Sequence, residues 1–320
     1  MNINRKVGKR FGWAVLFLFF SMNIIAAFHA YKFTHFAAAQ LAKTKSPKAL
    51  GVLGKVQALL FGINNPRPMN NIAPNVPFET VYLESSEKIE CWHVKIPNSK
   101  GTVAIFHGFS GNKGSMLDKS DAFNALGYST FLVDFIGTGG SEGNETTIGF
   151  REGQDVKVVI DYLRQQQKEQ NVIVFGTSMG AAAILKAAQT FDIQPNAAIL
   201  ECPFGTMYKT VCARFDHMNV PPFPMAGLLV FWGGIENGFW AFSHNPQDYA
   251  KAVHFPTLLL YGEKDIEVSR EETDALFQNL GGVKVLKTYP EAGHENYLTH
   301  YNKEWTGDVS DFLATQAPPQ

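Results

Sequence analysis

With 320 residues, the chain has room for one domain of about 200–250 residues and an appendage. Hydrophobic residues make up 45% and charged ones 18%, which excludes a disordered, collagen-like or coiled-coil protein; three cysteines without a Cys-x-x-Cys pair exclude a disulfide framework or a paired-cysteine zinc site. Ten of the 28 basic residues and none of the 29 acidic ones precede Glu79, so a basic head joins a body of net charge −11, which argues against nucleic acid as a partner and for anionic lipid.

Between Arg10 and Lys32 lie 21 residues without a formal charge. As a helix they would run roughly 31 Å at ~1.5 Å per residue, the thickness of a bilayer's hydrocarbon core. Arg5, Lys6, Lys9 and Arg10 precede them, as positive-inside orientation requires. A cleaved leader shares this pattern, but the best small-x-small site, Ala37-Ala38-Ala39, falls beyond Lys32. The expectation is a basic n-region and transmembrane signal anchor over residues 1–35, with a cleaved leader and a buried soluble helix as its rivals. The chain would then be single-pass, its amino terminus inside and its body on the non-cytoplasmic side. Lys43, Lys45 and Lys48 oppose that orientation, since they would also have to cross.

Residues 36–77 form an amphipathic segment and a Pro/Asn-rich linker. Leu50, Val52, Leu53, Val56, Leu59 and Leu60 recur at helical spacing, which suits either an interfacial helix or one packed on the main domain. Pro66, Pro68, Pro74 and Pro77 among asparagines read as a linker or an extended wrap.

The body, residues 78–320, alternates short apolar strands with helices. Strands are expected at Thr80–Glu84, Ile89–Ile96, Thr102–Phe106, Thr130–Asp134, Val172–Phe175, Ala197–Leu200, Thr257–Tyr261 and Val283–Tyr289. Helices are expected at Met116–Leu126, Arg151–Gln167, Met179–Gln189, Glu271–Leu280 and near the end, to about Leu313. Such repeated βα units make an α/β fold, a mostly parallel sheet with helices on both faces. One stretch, about 203–247, breaks the alternation with eight Phe and Trp residues and four prolines by Pro224. It is either an irregular excursion folded into the core or a cap over an apolar pocket, and its place at the carboxyl edge of the sheet favours the cap.

After strand Val172–Phe175 comes Gly176-Thr177-Ser178-Met179-Gly180, a G-x-S-x-G on a strand-to-helix turn. Such a turn exposes the serine hydroxyl at the positive end of the next helix. Alone the motif is weak, because a tight turn can hold an inert serine. A nucleophile also needs a base, and the base an orienting acid, in the chain order Ser, Asp, His. Asp265 and His294 follow the strands Thr257–Tyr261 and Val283–Tyr289 and fit that order. Glu263 and Glu267 are alternative acids. His217, His244, His254 and His300 suit structural, surface or lid roles better. An oxyanion hole needs two backbone N–H donors, which Met179 and Phe109, in the loop His107-Gly108-Phe109-Ser110-Gly111, would supply. His107 is expected to brace that loop.

These segments, with Asp134-x-x-Gly137-x-Gly139-x-Ser141, resemble the alpha/beta-hydrolase superfamily, most closely its serine aminopeptidase and monoacylglycerol-lipase-like group, over roughly residues 79–313. The resemblance implies an alpha/beta-hydrolase fold, with Ser178 as nucleophile, His294 as base, Asp265 as acid and Phe109 and Met179 forming the hole. It also implies that the Asp134 loop is structural. No cofactor is expected: Glu142 stands where a dinucleotide motif needs its third glycine, and there is no P-loop. No metal is expected either, since Leu298 stands where an H-E-x-x-H site needs its second histidine. Cys202 and Cys212 read as free thiols, and Cys91 is left over.

The expected protein is a membrane-anchored serine hydrolase cleaving a carboxylic ester, with acyl or lipid-like groups favoured by the apolar cap. A peptidase, amidase or acyltransferase would use the same three residues, and a binding module on the same scaffold is the non-enzymatic alternative. The substrate is a small ester or lipid-like molecule and the membrane is reached through the amino-terminal helix.

Overall fold

The computed structural model describes residues 2–44 and 51–316; Lys45, Lys48, Leu50 and the last four residues of the expected body lie outside them. A long helix, α1 (Asn2–Thr34), and a short one, α2 (Val52–Phe61), precede the sheet. Its strands are β1 (Glu79–Glu84), β2 (Lys88–Val94), β3 (Thr102–Phe106), β4 (Ser129–Val133), β5 (Val172–Thr177), β6 (Ala197–Glu201), β7 (Thr257–Gly262) and β8 (Lys284–Tyr289). They lie in the order β1-β2-β4-β3-β5-β6-β7-β8. β2 pairs antiparallel with both its neighbours, and every pair from β4 to β8 is parallel.

Every residue of β3, β4, β6 and β7 is buried, because helices cover both faces of the sheet. On one face lie α4 (Glu152–Asp161) and α5 (Met179–Phe191), whose Val156, Val159, Ala183 and Ala187 pack on Ala104, Phe131 and Val174. On the other lie α3 (Leu117–Ala125) and the carboxyl-terminal helix Asn302–Gln316, with Phe123, Trp305 and Phe312 against Ile105, Phe175 and Ile199. The predicted strands and helices fall within about two residues of these bounds. The predicted helix Arg151–Gln167 closes with a π-helical turn, Tyr162–Gln166. The last predicted helix is broken at Tyr301 into Tyr297–His300 and Asn302–Gln316.

The insert after β6 is helical, which its sequence did not indicate. It contains α6 (Met207–His217) and α7 (Met225–Glu236), then a short helix, α8 (Pro246–Tyr249). Phe204, Met207, Val230 and Ala241 form a small core with Ala182 of α5 and Val268, yet Phe223 is 82% exposed and Trp240 56%. The insert is therefore neither wholly folded into the main core nor covered by it.

α1 is not a detached tether. Residues 11–20 are exposed throughout, but Ala26, Ala30 and Thr34, spaced four apart, are buried where the helix packs along α7. Trp232 donates its indole N–H to Asn23 Oδ1 at 3.1 Å, and a Cβ on Gly233 would lie 3.9 Å from that of Ala30. Gly8–Thr34 is long and apolar enough to cross a bilayer. On α2, Leu53, Val56 and Phe61 are exposed.

Residues 64–77 wrap onto the body rather than linking to it freely. The Arg67 guanidinium donates to the carbonyls of Gly143 and Ser141, Gly139 N–H donates to Pro68 O at 2.8 Å, and Asn70 Nδ2 donates to Asp134 Oδ2 at 2.7 Å.

Candidate active site

Ser178 stands between β5 and α5 with φ 50° and ψ −108°. This sharp turn needs its glycines: a Cβ on Gly176 would come within 2.6 Å of Ala181 N, and one on Gly180 within 2.3 Å of Phe106 O. The Ser178 N–H donates to Glu201 O, 2.7 Å away at the end of β6, and its carbonyl accepts from Ala182 N at 3.0 Å.

The structure brings Ser178, His294 and Asp265 together from the ends of three elements. Ser178 Oγ lies 3.0 Å from His294 Nε2, and His294 Nδ1 lies 2.7 Å from Asp265 Oδ2. That order of partners suits a neutral imidazole with its proton on Nδ1, donating to the carboxylate and accepting from the serine. The other carboxylate oxygen, Oδ1, accepts from the N–H groups of Glu267 (2.8 Å) and Val268 (2.9 Å), which fixes the acid's orientation. Burial disfavours the His294 imidazolium, but the adjacent Cys202 and the Asp265 carboxylate outweigh it and hold the pKa well above the ordinary histidine value.

The alternative acids are elsewhere. Glu263 accepts from Thr288 Oγ1 at the surface, and Glu267 reaches Asp265 only through its backbone. His300 is exposed near Glu295, and His244 is buried between Ile148 O and Tyr249. His254 packs beside Gly281, and His217 of the insert bonds to Ile266 O at 2.7 Å. Cys91, Cys202 and Cys212 are free thiols.

The loop after β3 abuts the serine: a Cβ on Gly108 would meet Ser178 Cβ at 3.7 Å. Met179 opens α5, so its N–H has no acceptor within the helix. His107 is buried behind the loop, with Nδ1 2.8 Å from Gly108 O and Nε2 3.0 Å from Thr138 Oγ1. Burial lowers its pKa. Asp134 is taken up by Lys113, Asn70 and Gly140 N–H, a buried network away from the serine. Among the described residues no group of three or more His, Cys, Asp or Glu side chains could hold a metal ion.

Three side chains that the sequence did not single out complete the surroundings. Phe33, in the last turn of α1, stacks on Phe109 with ring centroids 4.6 Å apart and planes 10° from parallel. Arg214 of α6 lies over both rings, 4.4 Å from the centroid of Phe33 and 5.7 Å from that of Phe109. Asn65, buried in the wrap, accepts from Ser110 Oγ at 2.5 Å. With Arg214 over the Phe109 ring and His217 on the carbonyl of Ile266, next to Asp265, α6 bridges the loops on the two sides of Ser178.

Residues 97–226 match the family model described as serine aminopeptidase, S33. The chain is 25% identical over 228 residues to the Bacillus subtilis protein YqkD, covering 70% of this chain and 75% of that protein. It is 30% identical over 141 residues to the membrane protein YNL320W of Saccharomyces cerevisiae, covering 42% of this chain and 49% of that one. Among solved structures, a Pyrococcus furiosus esterase, Pf2001, superposes with a TM-score of 0.67 at 22% identity, over 79% of this chain and 97% of its own. With the sheet order, the strand-to-helix serine turn and these likenesses together, the chain has the alpha/beta-hydrolase fold, and its residues 97–226 are similar to the serine aminopeptidase S33 family.

Proposed function

We propose that the chain is a membrane-anchored serine hydrolase that cleaves a carboxylic ester through an acyl-enzyme. The observation that carries this reading is the unbroken hydrogen-bonded series Asp265–His294–Ser178 at the apex of a strained turn. Ser178 Oγ attacks the ester carbonyl carbon while His294 Nε2 takes its proton. The tetrahedral oxyanion is held by the N–H groups of Phe109 and Met179. Collapse expels the alcohol, which receives the proton from His294, and water repeats the sequence to release the acid. Asp265 stays ionised and holds the imidazole in its working tautomer.

Residues 1–35 are the anchor, 36–77 the amphipathic segment and wrap, and 78–320 the catalytic domain with its cap at about 203–247. The apolar cap against an apolar helix supports an acyl or lipid-like substrate, and the orientation proposed is amino terminus inside with the catalytic body on the non-cytoplasmic side. Peptide or amide hydrolysis is the second reading, favoured by the description of the matched family. Both are tested on the full chain in detergent micelles, with p-nitrophenyl esters of increasing acyl length beside aminoacyl p-nitroanilides. Ester turnover falling by roughly 10⁴-fold or more in Ser178→Ala is the expected result. Unchanged ester turnover in that variant would overturn the proposal, and anilide turnover exceeding that of every ester would move it to the second reading.

A further inference from the structure

We infer that the anchoring helix is part of the active site, and that Phe33 is a positioning residue for the oxyanion loop. The inference rests on the reading of Phe109 as an oxyanion donor and names what keeps that donor in place.

The loop from Gly108 to Gly114 is gripped from two sides. Behind it, His107 ties Gly108 to Thr138. In front, the contacts come from residues that precede the sheet. Phe33 covers the Phe109 ring, Asn65 takes the Ser110 hydroxyl, Asn112 Nδ2 donates to Met69 O at 3.0 Å and Gly114 N–H donates to Asn70 Oδ1 at 3.3 Å. The loop needs this grip, because Ser110 sits at φ 61°, in the left-handed region that strains a non-glycine residue. Such a conformation persists only where its surroundings over-determine it.

The stack acts on the residue whose backbone matters. The Phe109 side chain is covered by the Phe33 ring, and the Arg214 guanidinium lies beside the pair, 4.4 Å from the centroid of Phe33 and 5.7 Å from that of Phe109. An oxyanion donor works within about 2.7–3.1 Å of the developing charge, so a small swing of Phe109 forfeits most of its effect. Phe33 touches no reacting atom, and acts by holding Phe109.

The test uses the full chain in lipid nanodiscs, with a short-chain p-nitrophenyl ester and a trifluoromethyl ketone. Ser178 Oγ adds to the ketone carbon, its proton passes to His294, and the resulting hemiketal oxyanion occupies the hole. Phe33→Ala should lower kcat about tenfold or more with KM changed less than about threefold, and weaken the ketone's affinity by a similar factor. Phe33→Tyr, which keeps the flat face, should restore both. Phe33→Leu keeps an apolar side chain of similar bulk without the stack, and should lose kcat at an unchanged Tm even if the alanine variant folds poorly. Wild-type kcat and ketone affinity in Phe33→Leu, or in a folded Phe33→Ala, overturn the inference while Ser178-dependent turnover leaves the hydrolase reading standing. Turnover that survives Ser178→Ala would remove that reading and this inference with it.

Discussion

Ser178 is held in a backbone conformation that costs a residue with a Cβ about 1–3 kcal/mol, and two backbone hydrogen bonds and two glycines keep it there. Its proposed base, His294, is set by a different balance. His294 must be neutral to accept the serine proton, yet Asp265 and Cys202 hold its proton more tightly than water would. The proton is lost as pH rises through this raised pKa, so kcat/KM for ester hydrolysis should be low in acid and climb with pH, its midpoint above 6.5. In Asp265→Asn the limb should shift to lower pH, because the carboxylate that favours the imidazolium is gone. A wild-type midpoint at or below 6.5 would contradict the raised pKa of His294. Ser178, Asp265 and His294 were legible in sequence because each sits just past an apolar strand with its own local signature. Phe33 and Asn65 were not, since Phe33 meets Phe109 only after the chain folds back across 76 residues, and neither neighbourhood carries a motif.

The helices of the insert were hidden for a related reason. α7 reads Met-Ala-Gly-Leu-Leu-Val-Phe-Trp-Gly-Gly-Ile-Glu, apolar around its whole circumference, so it shows no 3.6-residue alternation, and its glycines look like loop. The structure supplies the missing partner: α1 covers one side of it. Small residues make the pairing close, with Gly233 facing Ala30. The free stretch of α1, from Gly8 to about Met22, would reach only about 22 Å, short of the ~30 Å hydrocarbon core. If α1 spans the bilayer, the part that lies along α7 must enter it too, and the apolar circumference of α7 suits that place. Ala30→Leu should therefore push the two helices apart and lower stability by roughly 1–3 kcal/mol. The loss would be read as a lower Tm of the full chain in nanodiscs, with the cap between α6 and α7 gaining proteolytic sensitivity. An unchanged Tm and unchanged proteolysis would mean that the seam tolerates the added bulk and that α1 and α7 are not tightly paired.

At the scale of the molecule, the alternation of strands and helices was readable because a parallel sheet buried on both faces requires short, continuously apolar strands. The way the basic head sits on the acidic body was not readable, because it depends on α1 and the wrap docking on surfaces formed elsewhere in the chain. The same charge division bears on orientation. Arg5, Lys6, Lys9 and Arg10 lie before the apolar run, while the body from Glu79 onward carries a net −11. Basic residues flanking a span are retained on the cytoplasmic side, whose anionic leaflet attracts them and repels an acidic body. Lys43, Lys45 and Lys48 pull the other way. They follow the span rather than precede it, and the first cluster is the denser of the two. The prediction is that protease added to sealed right-side-out vesicles digests the body from Phe78 onward, while inside-out vesicles protect it. The reverse pattern would put the catalytic site in the cytoplasm, and would mean that the three lysines after the span outweigh the four before it.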